Sequence, residues 1–252
     1  MRRHLPLLVV LLLAGCAARG GGRASAARLD DEYALAVRRA AVVDQSQIVN
    51  DLQRLDRSNA SLVWSADGSK VLAVTWKSQS SYDSNFRDKT ETSTVEAYVV
   101  WVTLAPQVQR FCQNYLRERP RATDAEVILR LKQYLGLNPS WAYDVFVEMW
   151  VDPAEVFRPC VDPEPTDSTC NLQFSEPAPT VKGIANYPAF YKNLYFGDFR
   201  TEPRVPWTGL GYTYDWGNPR SREGASEFIL SPGARYEIRR VVPTVQYCRS
   251  AD

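Results

Sequence analysis

The chain has 252 residues, 30 basic and 29 acidic side chains for a formal +1, and a hydrophobic content of 45%. These values exclude an extended disordered chain and a polytopic membrane protein, and they leave no bulk positive field to gather nucleic acid. The length fits one large domain or two small ones.

Arg2 and Arg3 open the chain, and Leu5 to Ala14 follow as an apolar run of ten. A permanent bilayer span needs about 20 apolar residues, so this run reads as a cleavable export segment. It ends in Leu13-Ala14-Gly15-Cys16, which resembles the lipobox of bacterial lipoproteins in spacing and residue type. The resemblance implies cleavage before Cys16 and a lipid on its thiol, diacylglycerol joined by an N-acyl chain such as palmitate. Two or more acyl chains hold a protein on a membrane where one does not. Ala17 stands where an inner-membrane retention signal carries Asp, so the implied address is the bacterial cell envelope, at the outer membrane of a double-membraned host. Residues 17–28 contain no acid and no large apolar side chain and read as a flexible tether. Arg19, Arg23 and Arg28 either rest on anionic headgroups or stay in solvent. Residues 29–252 are expected to form one domain.

The only histidine, His4, falls in the segment to be removed. The remaining chain then has no Ser-His-Asp or Cys-His relay, no His-containing zinc site and no His-ligated haem. There is no G-x-S-x-G, Walker A, C-x-x-C or EF-hand pattern. Gly209-x-Gly211 lacks the third glycine of a dinucleotide fingerprint. No cofactor and no metal site are expected, and any enzyme here works through carboxylates, Tyr, Arg or Lys.

Leu29 to Leu55 is helix-compatible with a break near Asp44-Gln45-Ser46. Leu62 to Trp64 and Lys70 to Trp76 read as a β-hairpin turning at Asp67-Gly68, followed by a polar loop over 77–94. Val95 to Leu104 has the continuous β-branched pattern of a strand buried on both faces. Pro106 opens a helix whose apolar stripe is Val108, Phe111, Cys112, Tyr115 and Leu116. Thr123 and Glu126 form a capping box for a second helix that Gly136 ends, and the short link makes the two an αα-hairpin. Asp144 to Val151 alternates as a strand. Tyr187 to Phe196 reads as a short aromatic helix. Ser226 to Leu230 and Arg235 to Val242 read as strands of a hairpin around Ser231-Pro232-Gly233. Unequal runs of strands and helices imply an α+β fold with a mainly antiparallel sheet and a loop-rich aromatic C-terminal part.

Four cysteines remain beyond Cys16, an even number in an exported chain, and three connectivities are possible. Cys160 and Cys170 flank a Pro- and acid-rich loop, and pairing them closes it. That leaves Cys112 with Cys248, which ties the C-terminus to a helix. Asp162, Glu164 and Asp167 lack the glycine and spacing of a calcium loop and read as a solvated acidic loop.

Residues 187–216 hold ten of the 29 aromatic side chains. Within them Trp207, Tyr212, Tyr214, Asp215 and Trp216 combine ring faces with a hydrogen-bonding acid, a composition suited to a sugar or another amphipathic ligand. Phe146–Cys170, Pro206–Pro219 and Ser226-Glu227-Phe228 together resemble an uncharacterised group of bacterial exported proteins, which implies a folded domain and no particular activity. Glu227 to Ile238 is similar to the strand pair of Arg-Ser-Glu ADP-ribosyltransferases, and that resemblance implies a catalytic Glu227. The leading expectation is a membrane-anchored, non-enzymatic envelope lipoprotein that binds a glycan or protein partner. The alternative is a carboxylate enzyme, a glycoside hydrolase or ADP-ribosyltransferase-like protein, using Glu227, Asp215 or Glu148.

Overall fold

The computed structural model describes residues 18–202 and 204–250, so Cys16 and the lipobox lie outside the described residues. Its strands are β1 (Val71–Lys77), β2 (Val100–Leu104), β3 (Val145–Val151), β4 (Val156–Phe157), β5 (Tyr212–Tyr214), β6 (Glu223–Ser226), β7 (Phe228–Leu230) and β8 (Tyr236–Pro243). Six of them form one antiparallel sheet in the order β4-β7-β2-β1-β3-β8, and β5 pairs with β6 beside it. The helices are α1 (Ala18–Ala40), α2 (Gln79–Asn85), α3 (Gln107–Glu118), α4 (Asp124–Tyr134), α5 (Tyr187–Asn193) and α6 (Thr244–Arg249). This is the expected α+β class with a mainly antiparallel sheet. Among the described residues no helix is long and apolar enough to cross a membrane.

Alternation along the central strands sends side chains to two cores. Val71, Ala73, Val147, Met149 and Val151 pack on one face with Leu55, Leu62, Phe86 and Phe228. Leu72, Val74, Trp76 and Phe146 pack on the other against α3, α4 and α6. The αα-hairpin helices sit where the sequence places them. Thr123 and Glu126 close the capping box, and Phe111 of α3 stacks on Tyr134 of α4 with centroids 3.7 Å apart. Cys112 is bonded to Cys248, holding α6 on α3, and Cys160 is bonded to Cys170.

The expected hairpin at Asp67-Gly68 is present as a bridge between Trp64 and Val71, with Gly68 at φ +68°. Three expectations are corrected. The strands on either side of Ser231-Pro232-Gly233 are not hairpin partners. β7 pairs with β2 through Trp101↔Ile229 and Val102↔Phe228, whereas β8 pairs with β3 at the far edge. Thr92 holds the turn between them by donating to the Ser231 carbonyl and accepting from the Ala234 N–H. The polar stretch after β1 contains α2, started by Ser78, whose hydroxyl accepts the Ser81 N–H, and by Asp144, which accepts from the Gln79 N–H at 2.8 Å. Residues 95–99 are not strand. Glu96–Tyr98 form a 3-10 turn in which the Glu96 carboxylate accepts the Ala185 N–H, and Val95 and Tyr98 stay exposed.

Residues 18–28, expected as coil, form the first half of α1. Alanine and arginine favour helix, and the second half supplies a docking stripe at i, i+3, i+4 and i+7. That stripe is Tyr33, Ala36, Val37 and Ala40, all buried. Ala36 and Ala40 pack with Tyr214 and Trp216, and Tyr33 meets the Trp216 ring edge-on at 5.7 Å.

Candidate functional site

A cavity of about 290 Å³ lies on the second face of the sheet, between the helix layer and the aromatic segment. Its floor comes from Val74 and Trp76 of β1 and from Trp101 and Thr103 of β2. The register Val74↔Thr103 and the alternation along β2 put these side chains on one face. Leu135, Leu137, Trp141, Tyr143 and Phe146 supply one wall; Phe199, Val205, Pro206 and Trp207 supply the other. Leu137, Trp141 and Tyr143 are only partly buried.

Glu227 enters this cavity from the residue before β7. It is 6% exposed, and its Oε1 accepts the Trp207 indole N–H at 2.9 Å. Burial pushes its carboxyl up to about 8, against the opposing pull of the Trp207 hydrogen bond. Near neutral pH burial thus favours the protonated carboxyl, which can donate as well as accept. Trp207 is itself fixed by stacking on Phe199 at 4.6 Å and by an edge contact with Trp101 at 6.1 Å.

The Gly209-x-Gly211 pattern serves this packing. Both glycines have positive φ, and a Cβ on Gly209 would lie 2.2 Å from the Tyr191 hydroxyl. On Gly211 it would meet Arg158 and the Cys170 sulfur. A chain bearing side chains there could not bring Trp207 and β5 so close to α5 and the disulfide loop.

Of the five expected ligand-binding residues, Trp207 and Tyr214 line the cavity, and the other three do not. Tyr212 is buried with Leu52, Leu210 and the Cys160–Cys170 bridge, and its hydroxyl donates to the Gln47 carbonyl. Burial pushes its phenol up to about 12. Trp216 donates its indole N–H to the Leu137 carbonyl at 3.1 Å and seats α1. Asp215 accepts both guanidinium nitrogens of Arg130, at 2.9 and 2.6 Å, and the Gly217 N–H at 3.0 Å.

Glu148 is likewise committed. A bulge in the β3–β8 pairing follows Glu148↔Arg240 and resumes at Met149↔Ile238, so Arg239 is the extra residue. Both arginines reach the buried Glu148 carboxylate, at 2.9 Å from Arg239 and 2.6 Å from Arg240. The three acids beside aromatic residues are thus not gathered in one cleft. Among the described residues Glu227 is the only carboxyl lining the cavity.

The acidic loop is internally bonded rather than merely solvated. Asp167 pairs with Arg158, Asp162 accepts from the Asn171 backbone and side chain, and Glu164 caps Thr166. Asp162 also lies close to the sulfurs of Cys160 and Cys170, but those sulfurs are bonded to each other.

Sequence reasoning missed Trp76, Trp101, Trp141 and Tyr143 as cavity residues. The available signal was Trp101, a large ring in an otherwise β-branched strand, whose partner across the sheet is invisible in the sequence. Comparison with family models, with curated proteins and with solved structures finds no match to this chain.

Proposed function

We propose that this chain is an envelope lipoprotein held at a membrane through Cys16, probing its surroundings with a non-enzymatic α+β binding module whose site is the aromatic cavity beside Trp207. The supporting observation is the cavity itself. It has aromatic and aliphatic walls, a volume of about 290 Å³, and one buried carboxyl in place of a catalytic constellation. Pockets of roughly this size with few polar groups suit small organic molecules. A sugar ring brings many hydroxyls that such walls leave without partners, so a small amphipathic molecule fits better than a glycan.

The carboxylate-enzyme alternative draws support from the acidity of Glu227, which lies in the range of a general acid. It is the weaker reading because glycoside hydrolysis needs a second carboxyl, and Asp215 and Glu148 are held by arginines.

Two measurements test the proposal. Intact mass of the purified protein is expected to show cleavage before Cys16 and added acyl mass, and Cys16→Ser is expected to release the protein from the membrane fraction. Native mass spectrometry is expected to find a small organic molecule co-purifying with the wild type and absent from a folded Trp207→Ala variant. An unacylated, water-soluble product refutes the anchor. Equal ligand content in both proteins refutes the site.

A further inference from the structure

The polar chemistry of the cavity is unevenly placed. Glu227 Oε1 accepts the Trp207 indole N–H, and the other carboxyl oxygen has no protein partner among the described residues. Among the described residues no ion pair to Glu227 is present. A cationic ligand would need open ring faces, and those of Trp76 and one face of Trp207 are covered by other rings. Trp76 lies between Tyr143 and Phe146, with centroids 4.7 and 5.2 Å away, and Trp207 is stacked on Phe199.

We propose that the cavity takes an uncharged, mostly apolar ligand carrying one carbonyl-type oxygen, and that the Glu227 carboxyl donates its hydroxyl hydrogen to that oxygen. The inference rests on the cavity being the binding site, as proposed above. It is consistent with the hydrogen bonding already present. The oxygen facing Trp207 plays the C=O part, which leaves the O–H on the free oxygen as a donor.

Burial sets the direction of the pH dependence. With Glu227 at about 8, the donor is present below that pH and is replaced above it by a carboxylate that repels an acceptor oxygen. Tyr143 and Tyr214 line the same cavity, and Tyr191 and Tyr212 lie near enough to sense its charge. Burial holds the phenols of Tyr143, Tyr191 and Tyr212 at about 12, outside the window. Arg200 donates to the Trp207 carbonyl at 3.1 Å. Lys77 titrates in the same range, since burial brings its ammonium down to about 8. Lys77 also borders the cavity, but its ammonium lies over the Phe86 ring, which belongs to the core on the opposite face of the sheet.

The experiment is calorimetry on the purified full chain in phospholipid nanodiscs, with empty nanodiscs as the blank. The probes are 2-acetylnaphthalene, its hydrocarbon counterpart 2-isopropylnaphthalene and the permanently charged cation (2-naphthylmethyl)trimethylammonium, each at about pH 6 and about pH 9.5 to bracket the carboxyl. The ketone is expected to bind about three- to tenfold more tightly than the hydrocarbon at the lower pH, the worth of one hydrogen bond, and to lose that preference at the higher. Glu227→Gln keeps a donor and is expected to retain the preference at both pH values. Glu227→Leu is expected to lose it at both while still binding the hydrocarbon. Lys77→Met is expected to leave the pH profile unchanged. Equal binding of ketone and hydrocarbon at both pH values overturns this inference and leaves the cavity reading standing. So does an ammonium probe that binds best and tightens as pH rises. Failure of all three probes removes the cavity reading and this inference together. The wild-type pH comparison decides the matter even where a variant does not fold.

Discussion

The indole nitrogen of Trp207 sits 2.9 Å from Glu227 Oε1, and among the described residues this is the only hydrogen bond to a carboxyl that is 6% exposed. The pairing has a consequence for stability. Burial raises Glu227 from 4.5 to about 8, so between those values the folded chain keeps a proton that the unfolded chain releases. Stability contributed at this site therefore falls as pH rises from about 4.5 to about 8 and is level above that. The loss is at most roughly 5 kcal/mol, at about 1.4 kcal/mol per pKa unit. Glu227→Gln is expected to flatten this slope and to be more stable than wild type near pH 8. Urea midpoints measured across the range check it, and an identical slope in both proteins would show that Glu227 is not the titrating group.

Asp215 belongs to the scaffold because its partners hold it there. It is 2% exposed and holds Arg130 with two hydrogen bonds. Asp215→Ala is expected to cost about 3–5 kcal/mol, because Arg130 loses its partner in a partly buried setting. Binding of 2-acetylnaphthalene by the fraction that remains folded is expected to be unchanged. Loss of binding with full stability would return Asp215 to the site.

Arg158 is fully buried and organises the Cys160–Cys170 loop. Its guanidinium donates to Asp167 Oδ1 at 2.6 Å and to the carbonyls of Asp167, Thr169, Gln53 and Pro165 at 2.8, 3.0, 3.2 and 3.3 Å. Arg158→Met keeps the volume and strands those carbonyls, and a loss of about 3–5 kcal/mol is expected in chemical denaturation. Arg158→Lys is expected to recover only part of it, since one ammonium cannot reach partners spread around a planar fork. A variant with wild-type stability would mean that the loop is held by its disulfide alone.

The two disulfides close loops of very different length, with separations of 136 and 10 residues. On the chain-entropy model they contribute about 5 and about 2.7 kcal/mol. Replacing Cys112 and Cys248 with alanine is therefore expected to lower the thermal midpoint more than replacing Cys160 and Cys170. The reverse order would indicate that the short loop carries native contacts the long one lacks, and Arg158 would be their first candidate.

Features governed by neighbours within a few residues could be read from the sequence. Thr123 and Glu126 cap α4, Asp67-Gly68 turns the first hairpin, and the alternation from Val145 to Val151 gives β3 its two apolar faces. The disulfide pairing followed from counting and loop length. Capping, periodicity and closure of the short Cys160–Cys170 loop act locally along the chain, and the distant Cys112–Cys248 pair followed only by elimination. The rest depended on partners distant in sequence. Glu148, Asp215 and Glu227 look alike as acids among aromatics, and only the fold distinguishes them. Arg239 and Arg240 reach Glu148, Arg130 reaches Asp215, and Glu227 meets an indole in an apolar cavity. The separation of β7 from β8 and the docking of α1 on Tyr214 and Trp216 were decided in the same way. Ionisation and burial are set by what lies nearby in space, and in a sheet where β2 pairs with β7 across more than a hundred residues, spatial neighbours are not sequence neighbours.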